Sequence, residues 1–527
     1  MDKYYFLDDD GTFTIENPEN YNYLYFPIAG EDGIKSSLTP TLGGDSKLDQ
    51  NAFILEPVSA ENLHNNKSTR NFWCNVKGKG IYSCTGVSAV QMSERFTDKQ
   101  EKSKITAGFM WQKVERESGD FGIHTEITSF VPVHDNLEIM LVKITNISKE
   151  TINVIPTAAI PIYGRSAANI RDHRHVTSLL HRIKTTDAGV LVTPTLSFDE
   201  RGHQINDITY YVCGYTGDGQ TPKDFYPIVE DFIGEGGNFE RPLAVVNDTT
   251  GVKADQLFEG LEAIGGLHFR EKSLGVGETA TYIILIGATN KENDVSNICQ
   301  QYSNLKSVDN SLDFVKDYWK EKVNVTYHTG NKDFDALMKW VSFQPVLRRI
   351  YGCSFLPHHD YGKGGRGWRD LWQDCLALLI MNPNGVRKML LSNFAGVRMD
   401  GTNATIIGSR QGEFIADRNN ITRVWMDHGV WPCMTTKLYI DQTGDIEILE
   451  ENVPYFKDKQ VARGTKTDLL LNEADGSIQM DEKNKIYQGT VLEHLLLQNL
   501  TSFYEVGNHN EIKLRGADWN DALDMLH

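Results

Sequence analysis

The order of apolar and polar positions changes character once along the chain. Up to about residue 287, short alternating runs are separated by turn clusters, the period-two pattern of half-buried antiparallel strands. Residues 71–84 turn at Lys77-Gly78-Lys79-Gly80, residues 121–133 form a further run, and residues 137–147 and 151–160 flank Ser148-Lys149-Glu150 as a predicted hairpin. Residues 267–269 and 280–286 repeat that arrangement around Gly275-Val276-Gly277-Glu278. From about residue 290 the period becomes helical: Leu312, Val315 and Trp319 share one face, and Phe334, Leu337, Met338 and Val341 do so again after Thr329-Gly330-Asn331. Helices are predicted at about 333–348, 370–381, 383–396, 428–441, 446–456 and 489–505, with hardly a strand among them.

All-β followed by helix after helix predicts separate domains with different cores. The expected division is an N-terminal β-sandwich over residues 1–287, a helical linker over 288–330 and a helical domain over 331–527. The linker lacks the Gly, Ser or Pro richness of a flexible tether. The helical domain has long loops rich in Gly, Trp, Arg and Asp, which is where function concentrates on a rigid scaffold.

Composition narrows the classes. With 40% hydrophobic and 24% charged residues, the 527-residue chain is of ordinary globular make-up. Lys+Arg 53 against Asp+Glu 71 leaves −18, which argues against nucleic acid or an anionic membrane surface as partner. The seven cysteines are scattered and form no C-x-x-C pair, so neither a disulfide framework nor a zinc ribbon is expected. No apolar run is long enough to span a bilayer, and the first residues do not read as a secretion signal. A reducing cytoplasm is the expected compartment.

Several motifs carry chemistry. Gly362 to Gly367 contains G-x-G-x-x-G, but no hydrophobic strand precedes it and a helix leads from it into another helix, which excludes a dinucleotide fingerprint. In Trp368-Arg369-Asp370-Leu371-Trp372-Gln373-Asp374, the two aspartates are four apart and share a face of the opening helical turns. One carboxylate could cap the helix while the other binds sugar hydroxyls, with Trp368 as a stacking platform; first-turn acids beside core tryptophans fit equally. Arg348-Arg349 at a helix end suits an anion, or simply the helix dipole. His358-His359-Asp360 lacks the spacing of helical zinc ligands, and no metal is expected there. Asp427, in Trp425-Met426-Asp427-His428-Gly429-Val430-Trp431, opens a helix as a ligand or an N-cap. In Gly516-Ala517-Asp518-Trp519-Asn520-Asp521, a bulky ring beside Asp521 would raise its pKa, as a general acid requires, while an N-cap at a helix start fits the same residues.

Together RGWRDLWQD, WMDHGVWP, GTVLEHLLLQN and GADWND resemble the inverting disaccharide phosphorylases of glycoside hydrolase family 94 over nearly the whole chain. The resemblance implies a β-sandwich, a helical linker and an (α/α)6 barrel. It implies phosphorolysis of a β-glucoside to α-glucose 1-phosphate and a shortened sugar, with inorganic phosphate as co-substrate and no metal or organic cofactor. Asp521 would be the general acid, Trp519 and Asp370 would hold the donor sugar, and Arg349 would bind phosphate. The commoner family pattern has an arginine six residues before the RD aspartate; here that position is Gly364, and either Arg366 or Lys363 takes its place or the donor contact is made differently. DYGKGGRGWRDLWQD is closer to laminaribiose than to cellobiose phosphorylases. A single acid suits this chemistry, because phosphate arrives already anionic. An inverting hydrolase would need a second carboxylate roughly 6.5–9.5 Å away, with Glu493 the candidate base. A non-catalytic carbohydrate-binding protein is the further alternative. The resemblance implies a homodimer. An (α/α)6 barrel needs twelve helices and about six are counted before His527, so the chain is expected to be the first part of a longer enzyme.

Overall fold

The computed structural model describes residues 4–21, 24–31, 33–59, 66–199, 202–290, 292, 294–351, 366–408, 412–415, 424, 426–472 and 476–513. These fall into two compact units, one ending at Val341 and the other starting at Ser342.

The first unit is built on antiparallel sheets. An eleven-stranded sheet runs through Lys102–Gly108, Trp111–Ser118, Ile123–Phe130, Leu137–Asn146, Thr279–Thr289 and Thr209–Thr216. A six-stranded sheet contains Asp224–Ile228, Ala263–His268, Ile152–Ile162, Asn71–Val76 and Gly80–Ser83, and a four-stranded sheet is drawn from residues 26–55. Inward residues of both large sheets, among them Phe72, Met140, Ile160, Val212, Leu267 and Ile284, form one continuous core. Removing that apolar surface from water is the main force holding the sheets together.

The turn at Lys77–Gly80 joins a true hairpin, pairing Trp73 with Ser83 and Val76 with Gly80. The predicted hairpin around Ser148–Glu150 is not one. Leu137–Asn146 pairs with Ile123–Phe130 and Thr279–Thr289 in the larger sheet, whereas Ile152–Ile162 pairs with Asn71–Val76 and Ala263–His268 in the smaller. The segment around Gly275–Glu278 likewise passes from one sheet to the other. The Asn146 side chain brings the two crossings together: its Nδ2 donates to the carbonyls of Glu150 (2.7 Å) and Leu274 (2.9 Å), and its Oδ1 accepts from the Ser148 amide at 2.8 Å.

Helices Asp294–Gln301 and Leu305–Lys322 follow the last long strand, and Val308, Val315 and Trp319 are their buried residues in the second helix. The helix Lys332–Tyr351 begins in the same unit, where Trp340 lies edge-on to Phe13 and Phe109 and donates its indole N–H to the Gly11 carbonyl at 2.6 Å. Gly11 has φ +88°, and a Cβ there would sit 3.2 Å from the indole nitrogen. The stripe Phe334, Leu337 and Val341 is about half exposed, and Ala336 and Lys339 face inward instead.

The second unit is mainly helical, with Trp368–Met381, Val386–Phe394, Val430–Thr443 and Val491–Tyr504. The helix predicted at 446–456 is a single 3-10 turn, Ile446–Glu450, followed by the strand Asn452–Pro454 paired with Gln488–Thr490. Pro454 has no amide hydrogen to continue a helix and disfavours helical geometry in the residue before it. Two further short pairings, Arg366–Gly367 with Ile406–Ile407 and Gln460–Val461 with Lys466–Thr467, lie between the helices.

Candidate active site

Two helix starts hold the candidate residues that the structure describes. The helix Trp368–Met381 opens at Gly367, which offers no side chain as a cap, and Asp370 is the acid of its first turn. A Cβ on Gly367 would lie 2.2 Å from Asp370 Oδ2, so glycine leaves the carboxylate room to fold back over the helix start, where the dipole favours negative charge. Asp370 and Asp374 share one face, as their spacing predicts. Arg348 faces both, its Nη1 3.8 Å from Asp370 and its Nε 3.7 Å from Asp374. Asp374 is nearly buried while the Asp370 side chain keeps 45% of its exposure, so Asp370 is the carboxylate available to a ligand.

Trp368 does not offer a stacking face. It is 1% exposed, packs against Trp372 with ring centroids 5.8 Å apart, and donates its indole N–H to the His428 carbonyl at 3.0 Å. A ring enclosed by its own core cannot lie against a sugar.

Asp427 also differs from a simple N-cap. Its carboxylate faces Arg369, with Nη2 donating to Oδ1 at 3.1 Å and Nε 2.7 Å from Oδ2, and Oδ2 also accepts the Trp431 indole N–H at 3.0 Å. Burial alone would raise its pKa, but the hydrogen bonds from Arg369 and Trp431 outweigh that and hold the carboxyl below its ordinary range. Next to it, burial pushes His428 down to about 3, so the ring is neutral, and its Nδ1 lies 3.0 Å from Asn403 Nδ2. Arg348, Arg369, Asn403 and His428 were not assigned roles from the sequence, apart from Arg348 as one half of an Arg-Arg pair. The signal for Arg369 was its place between Trp368 and Asp370.

Arg349 is half-buried in the last turn of the helix Lys332–Tyr351. The Arg366 backbone pairs with Ile407, and its side chain lies outside the described residues. Asp521, Trp519 and residues 352–365, with the Gly-rich loop up to Gly365, also lie outside them. Glu493 is occupied locally: its Oε2 accepts from the Thr490 amide at 2.6 Å while Thr490 Oγ1 accepts from the Glu493 amide at 3.1 Å, a reciprocal helix cap. Among the described residues no group of three or more His, Cys, Asp or Glu side chains could hold a metal ion, and no helix is long and apolar enough to cross a membrane.

A sandwich of sheets is followed along the chain by a helical unit with acids, arginines and tryptophans at its helix starts, and each part has a family counterpart. The glycosyl hydrolase 94 supersandwich domain matches residues 61–305, and the glycosyl hydrolase 94 superfamily catalytic domain matches residues 318–468. The chain belongs to glycosyl hydrolase family 94. An N,N'-diacetylchitobiose phosphorylase of Vibrio proteolyticus is 23% identical over 430 residues, covering 77% of this chain and 48% of that protein. A solabiose phosphorylase of Paenibacillus borealis is 22% identical over 427 residues, covering 81% and 48%. The chain thus spans about half the length of the curated relatives it matches. Among solved structures, a bacterial glucoamylase complexed with acarbose aligns at a TM-score of 0.48 and 10% identity, over 79% of this chain and 55% of that one.

Proposed function

We propose that the chain carries the sandwich and catalytic parts of an inverting disaccharide phosphorylase. Phosphate attacks the anomeric carbon of a β-glucoside as Asp521 protonates the departing glycosidic oxygen, giving α-glucose 1-phosphate and a shortened sugar. The observation that carries this reading is the match of both family 94 domains, in order, to 61–305 and 318–468, with relatives named as phosphorylases. Asp370 and Trp519 hold the donor sugar, Arg349 binds phosphate and Arg366 stands in for the arginine missing at Gly364. Cationic side chains suit this role because phosphate needs charge and hydrogen-bond donors and no base to activate it. The scheme requires no metal or organic cofactor.

The helical unit contributes helices to an (α/α)6 barrel, the protein works as a cytoplasmic homodimer, and a β-1,3 linkage such as laminaribiose is the proposed substrate. The hydrolase alternative is weakened by Glu493, whose carboxylate caps its own helix. Incubating candidate β-disaccharides with and without phosphate tests the reaction: glucose 1-phosphate must appear only with phosphate, and free glucose without it supports hydrolysis. Synthesis from α-glucose 1-phosphate or N-acetylglucosamine 1-phosphate with a panel of acceptors, followed by linkage analysis, tests the substrate.

A further inference from the structure

We infer that Asp427 is a positioning residue that acts through Arg369 to aim Asp370, and not a sugar ligand. The inference rests on the phosphorylase reading only for what Asp370 does once aimed.

The start of a helix is loosely held unless something outside it engages the first turn, because its first amides have no partners within the helix. Gly367 supplies no side-chain cap to the Trp368–Met381 helix. The first two helical residues make up for this with contacts to one short segment. Trp368 donates its indole N–H to the His428 carbonyl, and Arg369 meets Asp427 through two nitrogens. Asp370 is the next residue. A charge-assisted hydrogen bond from a planar guanidinium, with a second nitrogen at ion-pair distance, fixes direction as well as distance. Rotation of the first turn would break that contact, so the contact holds the backbone that carries Asp370.

Asp427 has little left to offer a ligand. Two N–H groups, Arg369 Nη2 and the Trp431 indole, donate to its two oxygens, and Arg369 Nε lies 2.7 Å from Oδ2, on an acceptor with about four lone-pair sites. Trp431 is the second residue of the helix Val430–Thr443, so Asp427 joins the starts of two helices. Thr435 reinforces the join by donating its hydroxyl to the Trp372 carbonyl at 3.1 Å.

The test is a double-mutant cycle with α-glucose 1-phosphate as donor and a fixed acceptor, using Asp427→Ala, Arg369→Ala and the pair. If Asp427 acts through Arg369, each single change lowers kcat/KM for the donor by roughly tenfold or more, and the pair is no worse than the poorer single variant within about twofold. Asp427→Asn, which keeps an oxygen for Arg369, recovers part of the rate. Losses that multiply in the pair overturn the inference. A protein that turns over no sugar phosphate at all refutes the phosphorylase reading instead. The positioning role is then decided by hydrogen exchange: Asp427→Ala and Arg369→Ala must speed exchange in peptides covering 368–381 to the same extent, and unchanged exchange there overturns it.

Discussion

Trp368 donates its indole N–H to the backbone carbonyl of His428 at 3.0 Å, joining two helix starts sixty residues apart in the chain. Both groups are buried, so the bond replaces contact with water that neither could regain in the fold. Trp368→Phe keeps most of the ring but strands the carbonyl, and should cost about 1–3 kcal/mol. Trp368→Ala adds a cavity and should cost about 3–5 kcal/mol. Urea unfolding of the two variants measures both; equal stability of Trp368→Phe and the parent would show that the hydrogen bond contributes nothing.

Asp521→Asn should abolish phosphorolysis of an unactivated disaccharide while leaving sugar affinity largely intact. The amide keeps the shape of the side chain and loses the proton that must reach the glycosidic oxygen. Initial rates and ligand binding by calorimetry separate the two effects, and substantial remaining turnover would remove Asp521 from the mechanism.

Arg349→Ala should raise the apparent KM for phosphate about tenfold or more, and that for the sugar much less. A charge-assisted contact to an anion is worth roughly 1.5–3 kcal/mol and is made only to that co-substrate. An equal rise in both constants would mark Arg349 as structural.

Arg70 and Glu138 form an ion pair that is completely buried in the sandwich, with Nε and Nη2 each 2.7 Å from a carboxylate oxygen. Nη1 and Nη2 also donate to the Gly44 and Asp45 carbonyls at 3.0 Å, and Ser36 donates its hydroxyl to Glu138 at 2.7 Å. Arg70→Met should destabilise the fold by about 3–5 kcal/mol, because it leaves a buried carboxylate without a cation. Removing both charges as Arg70→Met with Glu138→Leu should cost less than removing one, and thermal melts of the single and double variants give the ranking.

Burial pushes His428 and His181 down to about 3 from the ordinary 6.5. Above pH 6.5 both rings are neutral whether the chain is folded or unfolded, and their contribution to stability is at its greatest. As pH falls from 6.5 towards 3, the unfolded chain takes up protons that the native rings refuse, and stability drops by up to about 1.4 kcal/mol per pH unit for each histidine. Glu101 acts in the opposite sense: burial raises it to about 7, so it loses stability as pH rises from 4.5 to 7. The difference between the parent and His428→Gln therefore isolates one ring, and between pH 7 and pH 5 the parent should lose about 2 kcal/mol more than the variant. Parallel stability curves in urea titrations at the two pH values would contradict a neutral, buried His428.

Local rules settled much of this protein from its sequence. Period-two alternation located the strands at 71–84 and 121–133, helical spacing located the buried face of Val315 and Trp319, and the RD and DWND segments led to the family. These features depend on neighbours a few positions away, and side-chain direction alternates or rotates with a fixed period. Tertiary structure alone decided which sheet each strand joined. Residues 137–146 and 152–162 have the alternation and the turn of a hairpin, yet nearly every side chain of both strands is buried, and each finds its partners far away in sequence. The same holds at the site. The sequence placed Asp370 and Asp374 on one face, because four residues make about one turn. It left open whether Trp368 faced a ligand or a core, and whether Asp427 met a ligand or capped a helix. Those outcomes depend on groups about sixty residues distant, brought within 3 Å by packing that no local period encodes.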